Sequence, residues 1–346
     1  MSRDPAADDL RRWGLRLAFV VTAGLVVETL RGSPLPPLAP VIALQLVAAT
    51  RVPPGRRMVL MLLGAAAATS GVAYVVSILT VDYAGLYAIG VGLLYLWSFL
   101  LALHRGTALI GVLALTMTVV ISGLANTSTG IALGAMLSIV ISVLAAFFLV
   151  YIAYFLFPPS AAPSRPQRAR NDDADASLPP ALHAVVATVI ILPAHLYLNA
   201  DGVASMVVLL SMATMLRQTA IAQSTRFCMA FIAGNALGAS LAALAALVVT
   251  IRPEAPVLLT VTATGALFLS WQITRGPKSA AVIVPGFVAY TMLFGLVLSP
   301  LPLAEGVDVL NRVLLIIGGA IYASAFLSLL VPAFPLLRRV AGTVRT

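Results

Sequence analysis

Residues 129–157 read TGIALGAMLSIVISVLAAFFLVYIAYFLF, a stretch without a single Asp, Glu, Lys or Arg. A helix rises about 1.5 Å per residue, and crossing the hydrocarbon core of a bilayer takes about 20 apolar residues. This stretch is more than long enough. A polar or charged group placed there would meet lipid, so its composition predicts a membrane-spanning helix.

The rest of the chain repeats the signal. Of 346 residues, 61% are hydrophobic and 10% are charged, and the mean hydropathy is +1.04. A soluble domain averages roughly 45–50% apolar and about 25% charged residues. So few charges cannot cover a soluble surface, which excludes a soluble enzyme and a disordered chain. The expected class is an all-α, polytopic membrane protein.

Hydropathy places spans at 14–32, 35–50, 57–79, 83–103, 107–125, 129–157, 181–198, 202–216, 227–250, 255–273, 279–299 and 309–331. The segment 158–180 is the one long polar stretch and reads as a flexible cytoplasmic linker. It separates a first six-helix module, 1–157, from a second, 181–346. No cleavable signal is expected, because Asp4, Asp8 and Asp9 interrupt the basic start and the first apolar run is full length.

The net charge is +9 and the isoelectric point about 10.3. The 21 basic residues stand singly or in pairs between apolar runs, which suits topology rather than nucleic-acid binding. Twelve crossings from a cytoplasmic N-terminus put 18 of the 21 basic residues on the cytoplasmic side and leave Arg31, Arg252 and Arg312 outside. This is the positive-inside pattern of an inner-membrane protein of a bacterial cell with both termini cytoplasmic.

A shift of about 170 residues aligns the halves. Arg56 meets Arg226, Gly64 meets Gly234, Ser70 meets Ser240, and Arg105-Gly106 meets Arg275-Gly276. Charged matches are informative because charges are rare here. Six spans per half gives both halves the same orientation, so two parallel six-helix repeats are expected, related by an axis along the membrane normal.

No catalytic or metal site emerges. There is no P-loop motif. Cys228 is the sole cysteine, and His104, His183 and His195 lie far apart, near span ends. No cofactor is expected, and a membrane-embedded lipid-modifying enzyme is disfavoured.

Three groups of residues are candidates for transport. The second and eighth spans are short and occupy matching positions, which points to a substrate path formed by Pro40, Gln45, Thr50, Ser211 and Thr214. The arginine pairs Arg51 and Arg217, Arg56 and Arg226, and Arg105 and Arg275 would ring the cytoplasmic mouth and attract anions. Glu28 is the one carboxylate well inside a span and the candidate for proton coupling, although Arg31 stands one turn away as its expected partner. Gly130-x-x-x-Gly134 and Gly234-x-x-x-Gly238 are expected to be helix-packing motifs, and Pro285-Gly286 a kink. Trp97 and Trp271 fit an interfacial aromatic belt.

The stretch Pro34–Thr50, PLPPLAPVIALQLVAAT, follows a first span and precedes a basic loop. It resembles the start of the fusaric acid resistance and aromatic acid exporter family. The aromatic-rich helix end from Phe147 to Phe157, followed by Pro158, and the doubled module are similar to that family too. The plant aluminium-activated malate transporters look like more distant relatives. The resemblance implies export of organic or aromatic acid anions beside a periplasmic adaptor (membrane fusion) protein. The long members carry a large cytoplasmic domain after each module, and this chain has only 158–180 and 332–346 in those places. A passive anion channel and a non-transporting membrane subunit of an envelope complex are the alternatives. The sequence leaves open whether one chain encloses its own pore or pairs as a homodimer.

Overall fold

The computed structural model describes residues 5–50, 52–104, 106–125, 128–159, 179–198, 204–217 and 225–299, together with Gly318, Gly319, Tyr322 and Phe326. Eleven helices make up the described residues, and no strand occurs among them. They are α1 Pro5–Leu30, α2 Leu38–Ala49, α3 Arg56–Thr80, α4 Ala84–Leu103, α5 Ala108–Ala125 and α6 Thr129–Leu156, then α7 Pro180–Leu198, α8 Ala204–Leu216, α9 Thr225–Ile251, α10 Ala255–Thr274 and α11 Pro277–Val297. Each coincides with one of the first eleven expected spans. Of the twelfth, only Gly318, Gly319, Tyr322 and Phe326 are among the described residues, all helical, and most of the linker lies outside them.

Eight of these helices are long and apolar enough to cross a membrane, namely α1, α3, α4, α5, α6, α7, α9 and α10. The expectation of twelve full spans is therefore met only in part. The helix α2 has 12 residues and α8 has 13, or about 18–20 Å at 1.5 Å per residue. Neither reaches across a hydrocarbon core of roughly 30 Å. The helix α11 has 21 residues with Pro285 inside it.

The bundle is apolar on its perimeter as well as in its core. Leu60, Leu79, Trp97, Phe148, Phe155 and Ile251 are among the large exposed side chains. Such a surface would drive aggregation in water, and lipid is the solvent it suits. Several buried Thr side chains return their protons to their own helix, as in Thr116 to Val112 O, Thr188 to Ala184 O and Thr262 to Leu258 O.

Local chemistry sets the helix ends. The first turn after α1 closes with Gly32 N–H to Thr29 O and Ser33 N–H to Glu28 O, both at 3.0 Å. Gly32 adopts φ +68°, the left-handed conformation this type of helix ending requires and glycine supplies without a Cβ clash. The prolines of the second span start α2 rather than interrupt it. Pro37 is its N-cap and Pro40 lies in its first turn, where backbone N–H groups lack helical partners in any case.

The first-half helices pack on those of the second half. The helix α1 lies along α10, and α4 lies along α7. The helices α2 and α11 touch, as do α5 and α8. The closest approach is between α9 and α11. A methyl group on Gly234 would overlap Val282 O, one on Gly238 would overlap Gly286 O, and one on Gly286 would overlap Gly234 O. The Gly234/Gly238 motif is thus a packing surface, and Gly286 serves its partner helix. Gly64 and Gly134 meet nothing within 4 Å, so the expected motif at Gly130/Gly134 makes no close helix contact among the described residues. The difference is positional, since those glycines point away from neighbouring backbone.

This asymmetry is testable by thermal unfolding in lipid nanodiscs. Gly238→Ala is expected to destabilise the protein by about 1–3 kcal/mol through overpacking. Gly64→Ala, in open space on a helix, is expected to be neutral or stabilising by up to about 1 kcal/mol.

Candidate functional site

The short helices α2 and α8 meet α5 and α11 at the centre of the bundle. Between them lies a narrow cavity of about 30 Å³, lined in part by Gln45 of α2, Thr116 of α5, and Thr214 and Arg217 at the end of α8. Val288 and Met292 of α11 close it. A smaller gap of about 20 Å³ adjoins it, where Ser211 and Thr214 face Pro285 of α11 and Asn235 of α9. These volumes hold about one water each, so neither gap admits a larger molecule in this conformation.

Four residues expected from sequence thus meet in one place: Gln45 from the first half, and Ser211, Thr214 and Arg217 from the second. Thr214 donates its own proton to Leu210 O at 2.8 Å, which leaves its oxygen lone pairs for another donor. Arg217 is half-buried. It remains a cation at neutral pH, at the edge of an apolar gap where an anion would be its natural complement. Thr116 and Asn235 were not read from the sequence. A Thr in α5 and a single Asn in α9 carry no spacing signal there.

The other expected residues fall elsewhere. Pro40 packs on Gly24 of α1. Thr50 caps α2, donating to Leu46 O at 2.8 Å, while its carbonyl accepts from Tyr154 Oη at 2.8 Å. Arg275 lies with its guanidinium 3.9 Å over the Trp271 ring, and Trp97 and Trp271 are exposed on the perimeter. Arg56 is exposed at the start of α3. Arg51, Arg105 and the side chain of Arg226 lie outside the described residues. Glu28 is buried and ion-paired with Arg31 at 2.7 Å, as its spacing led us to expect.

Side chains at the ends of the short helices supply hydrogen-bond donors. Trp13 Nε1 donates to Val47 O at 3.0 Å, at the end of α2. His183 Nε2 lies 2.6 Å from Leu216 O, at the end of α8. Arg16, counted above among the topology arginines, is instead fully buried. Its Nε donates to Phe157 O at 2.8 Å, its guanidinium lies 4.6 Å over the Tyr154 ring, and Asp9 is 3.8 Å away. A cation suits the carbonyl end of α6, where the helix dipole is negative.

No family model matches the chain, and comparison with curated proteins and with solved structures finds no match either. The site is therefore read from its own geometry.

Arg16 and Arg275 make a test of this geometry. Arg16→Ala strips a buried carbonyl of a charged donor and is expected to cost about 1.5–3 kcal/mol. Arg275→Ala, at an exposed site, is expected to stay within about 0.5 kcal/mol. Thermal midpoints in nanodiscs distinguish the two.

Proposed function

We propose that this protein is a membrane transporter, an efflux permease for organic or aromatic acid anions, with the central cavity as its occluded substrate path. One observation carries the reading. The two shortest helices come from corresponding places in the two halves, and they meet at the bundle centre with Gln45, Ser211, Thr214 and Arg217 around a gap. Polar groups gathered at membrane depth cost free energy and mark pathways more often than packing. Arg217 provides the positive charge, and the side-chain amide N–H groups of Gln45 provide neutral donors for a carboxylate.

The repeat supports this reading. The packing is unchanged in kind when α1–α5 are exchanged with α7–α11. Thus α1 on α10 corresponds to α7 on α4, and α2 on α11 corresponds to α8 on α5. The ring N–H of Trp13 on the end of α2 has its counterpart in His183 on the end of α8, and 13 and 183 differ by the shift of 170. Two parallel repeats that rock about a central site are a familiar transporter plan. In this reading the chain is an inner-membrane protein with twelve helices and cytoplasmic termini. It belongs with the aromatic acid exporters that its Pro34–Thr50 stretch resembles, and it works beside a periplasmic adaptor. Arg217 faces the cytoplasm and admits the anion.

A passive anion channel is the second reading. It is favoured by one feature: among the described residues no carboxylate lines either central gap.

Proteoliposomes loaded with a labelled aromatic carboxylate test both. Wild-type flux is expected, and Arg217→Gln is expected to lower it about tenfold, equivalent to about 1.4 kcal/mol. Unchanged flux in well-folded Arg217→Gln protein would sink the role of Arg217. Flux that follows the membrane potential and ignores a pH gradient would select the channel.

A further inference from the structure

A second polar cluster lies away from the central gap, buried where α7 of the second half crosses α4 and α5 of the first. His195 is fully buried. Its Nδ1 is 2.9 Å from Tyr95 Oη. Its Nε2 is 3.3 Å from both Tyr87 Oη and Ser122 Oγ.

The protons in this cluster can be assigned by inventory. Tyr87 donates its hydroxyl proton to Ser122 O at 3.0 Å. Ser122 donates its own to Thr118 O. Each hydroxyl has one proton, so both oxygens face His195 as acceptors. Nε2 must then carry a hydrogen, and Nδ1 must be bare to accept the proton of Tyr95. The neutral Nε2–H imidazole satisfies every group in the cluster. An added proton at Nδ1 would face the Tyr95 hydroxyl proton. Tyr95 would have to turn away and find another acceptor inside a fully buried pocket.

We propose that His195 is a proton-binding site that latches α4 to α7, closed when the imidazole is neutral and released when it takes up a proton. Three features of α7 fit a latch. Pro193, two residues before His195, lies inside the helix and removes the N–H that would bond Val189 O, which allows bending there. Against α4 the helix packs tightly, because Gly92 admits Leu192 where a Cβ would be only 3.1 Å away. On another face, the same turn borders a cavity of about 390 Å³ lined by Pro193, Ala194, Tyr197, Val208, Met212 and Tyr322 among others. The helix is held on one side and has room on another.

The titratable groups facing His195 are Tyr87 and Tyr95, both from α4. The helices α5 and α8 contain no Asp, Glu, Lys, Arg, His, Tyr or Cys. Tyr322 reaches α7 at Ile190 O, 3.3 Å away, rather than at the imidazole. No described carboxylate stabilises the imidazolium in the closed form, so protonation and closure oppose each other. Since α7 leads into α8, which lines the central gap, release of the latch would move one wall of the proposed path. This link to transport rests on the function proposed above, and it supplies the titratable group that the central cavity lacks.

The test uses the full chain in liposomes, with Cys228→Ser as background and spin labels at Leu86→Cys on α4 and Tyr197→Cys on α7, both exposed positions. Between about pH 8 and about pH 4, a window that extends below the ordinary histidine range, the interspin distance is expected to grow by about 2 Å or more, the scale of helix shifts at switching interfaces. His195→Gln preserves a donor and an acceptor but cannot take up the proton. Its distance is expected not to respond. A constant distance in the His195 protein, or the same response in His195→Gln, overturns the latch. Nitrogen-15 NMR of the histidines gives a reading without the variant. Nδ1 should be bare at neutral pH and protonate together with the distance change, and protonation without movement overturns the proposal. In flux assays a pH gradient should drive the wild type and not His195→Gln, and a variant that still follows the gradient refutes the coupling. Absence of wild-type flux counts against the transporter reading alone, because the distance still decides the latch.

Discussion

Backbone groups inside a bilayer must find hydrogen-bond partners within the protein, since lipid offers none. A full-length helix meets this demand except at its ends, which lie in the headgroups. The helices α2 and α8 are too short for that. Their last carbonyls finish inside the bundle, and other helices must supply donors. Trp13 serves Val47 O, and Tyr154 serves the carbonyl of Thr50. His183 reaches Leu216 O. Arg16 gives the end of α6 a buried cation in the same neighbourhood. These contacts tie α1 and α6 around α2, and α7 to α8, so the outer helices are positioned by what the central ones lack.

The same constraint explains where polarity is tolerated. Several buried Thr side chains bond to their own helix and cost little. Side chains that cross between elements include those at the helix ends just described, Ser270 to Gly14 O, Ser299 to Pro34 O and the His195 cluster. The contacts at the helix ends have a structural task. The central gap and the His195 cluster lie where the halves of the chain meet, and each holds a group able to carry charge, Arg217 or His195.

Much of the architecture was legible in the chain. Eleven helices appear where hydropathy put them, because a run of apolar residues in lipid has only the helix as a self-satisfying form. The Glu28–Arg31 pair was legible from i,i+3 spacing. The importance of the second and eighth spans was legible from their length. Other readings failed for geometric reasons. Pro40 was read as freeing carbonyls inside the path, but one turn of difference in the helix start puts it at the N-terminus of α2. Gly130 and Gly134 have the spacing of a packing motif, yet no backbone approaches them. Arg16 looked like a loop charge and is the largest fully buried side chain.

Composition and order of residues by themselves determined that this protein is a helical membrane bundle with two short segments in matching positions, because hydrophobicity and length are properties of single segments. Which polar residues share a cavity was decided only by the tertiary structure. Gln45 and Arg217 are far apart in the chain, as are Tyr95 and His195. Their meeting depends on how α2 turns toward α8 and how α7 lies on α4. Helix rotation and register are set by side-chain packing among many neighbours at once, including glycines that let backbones touch, and no single stretch of sequence contains that information.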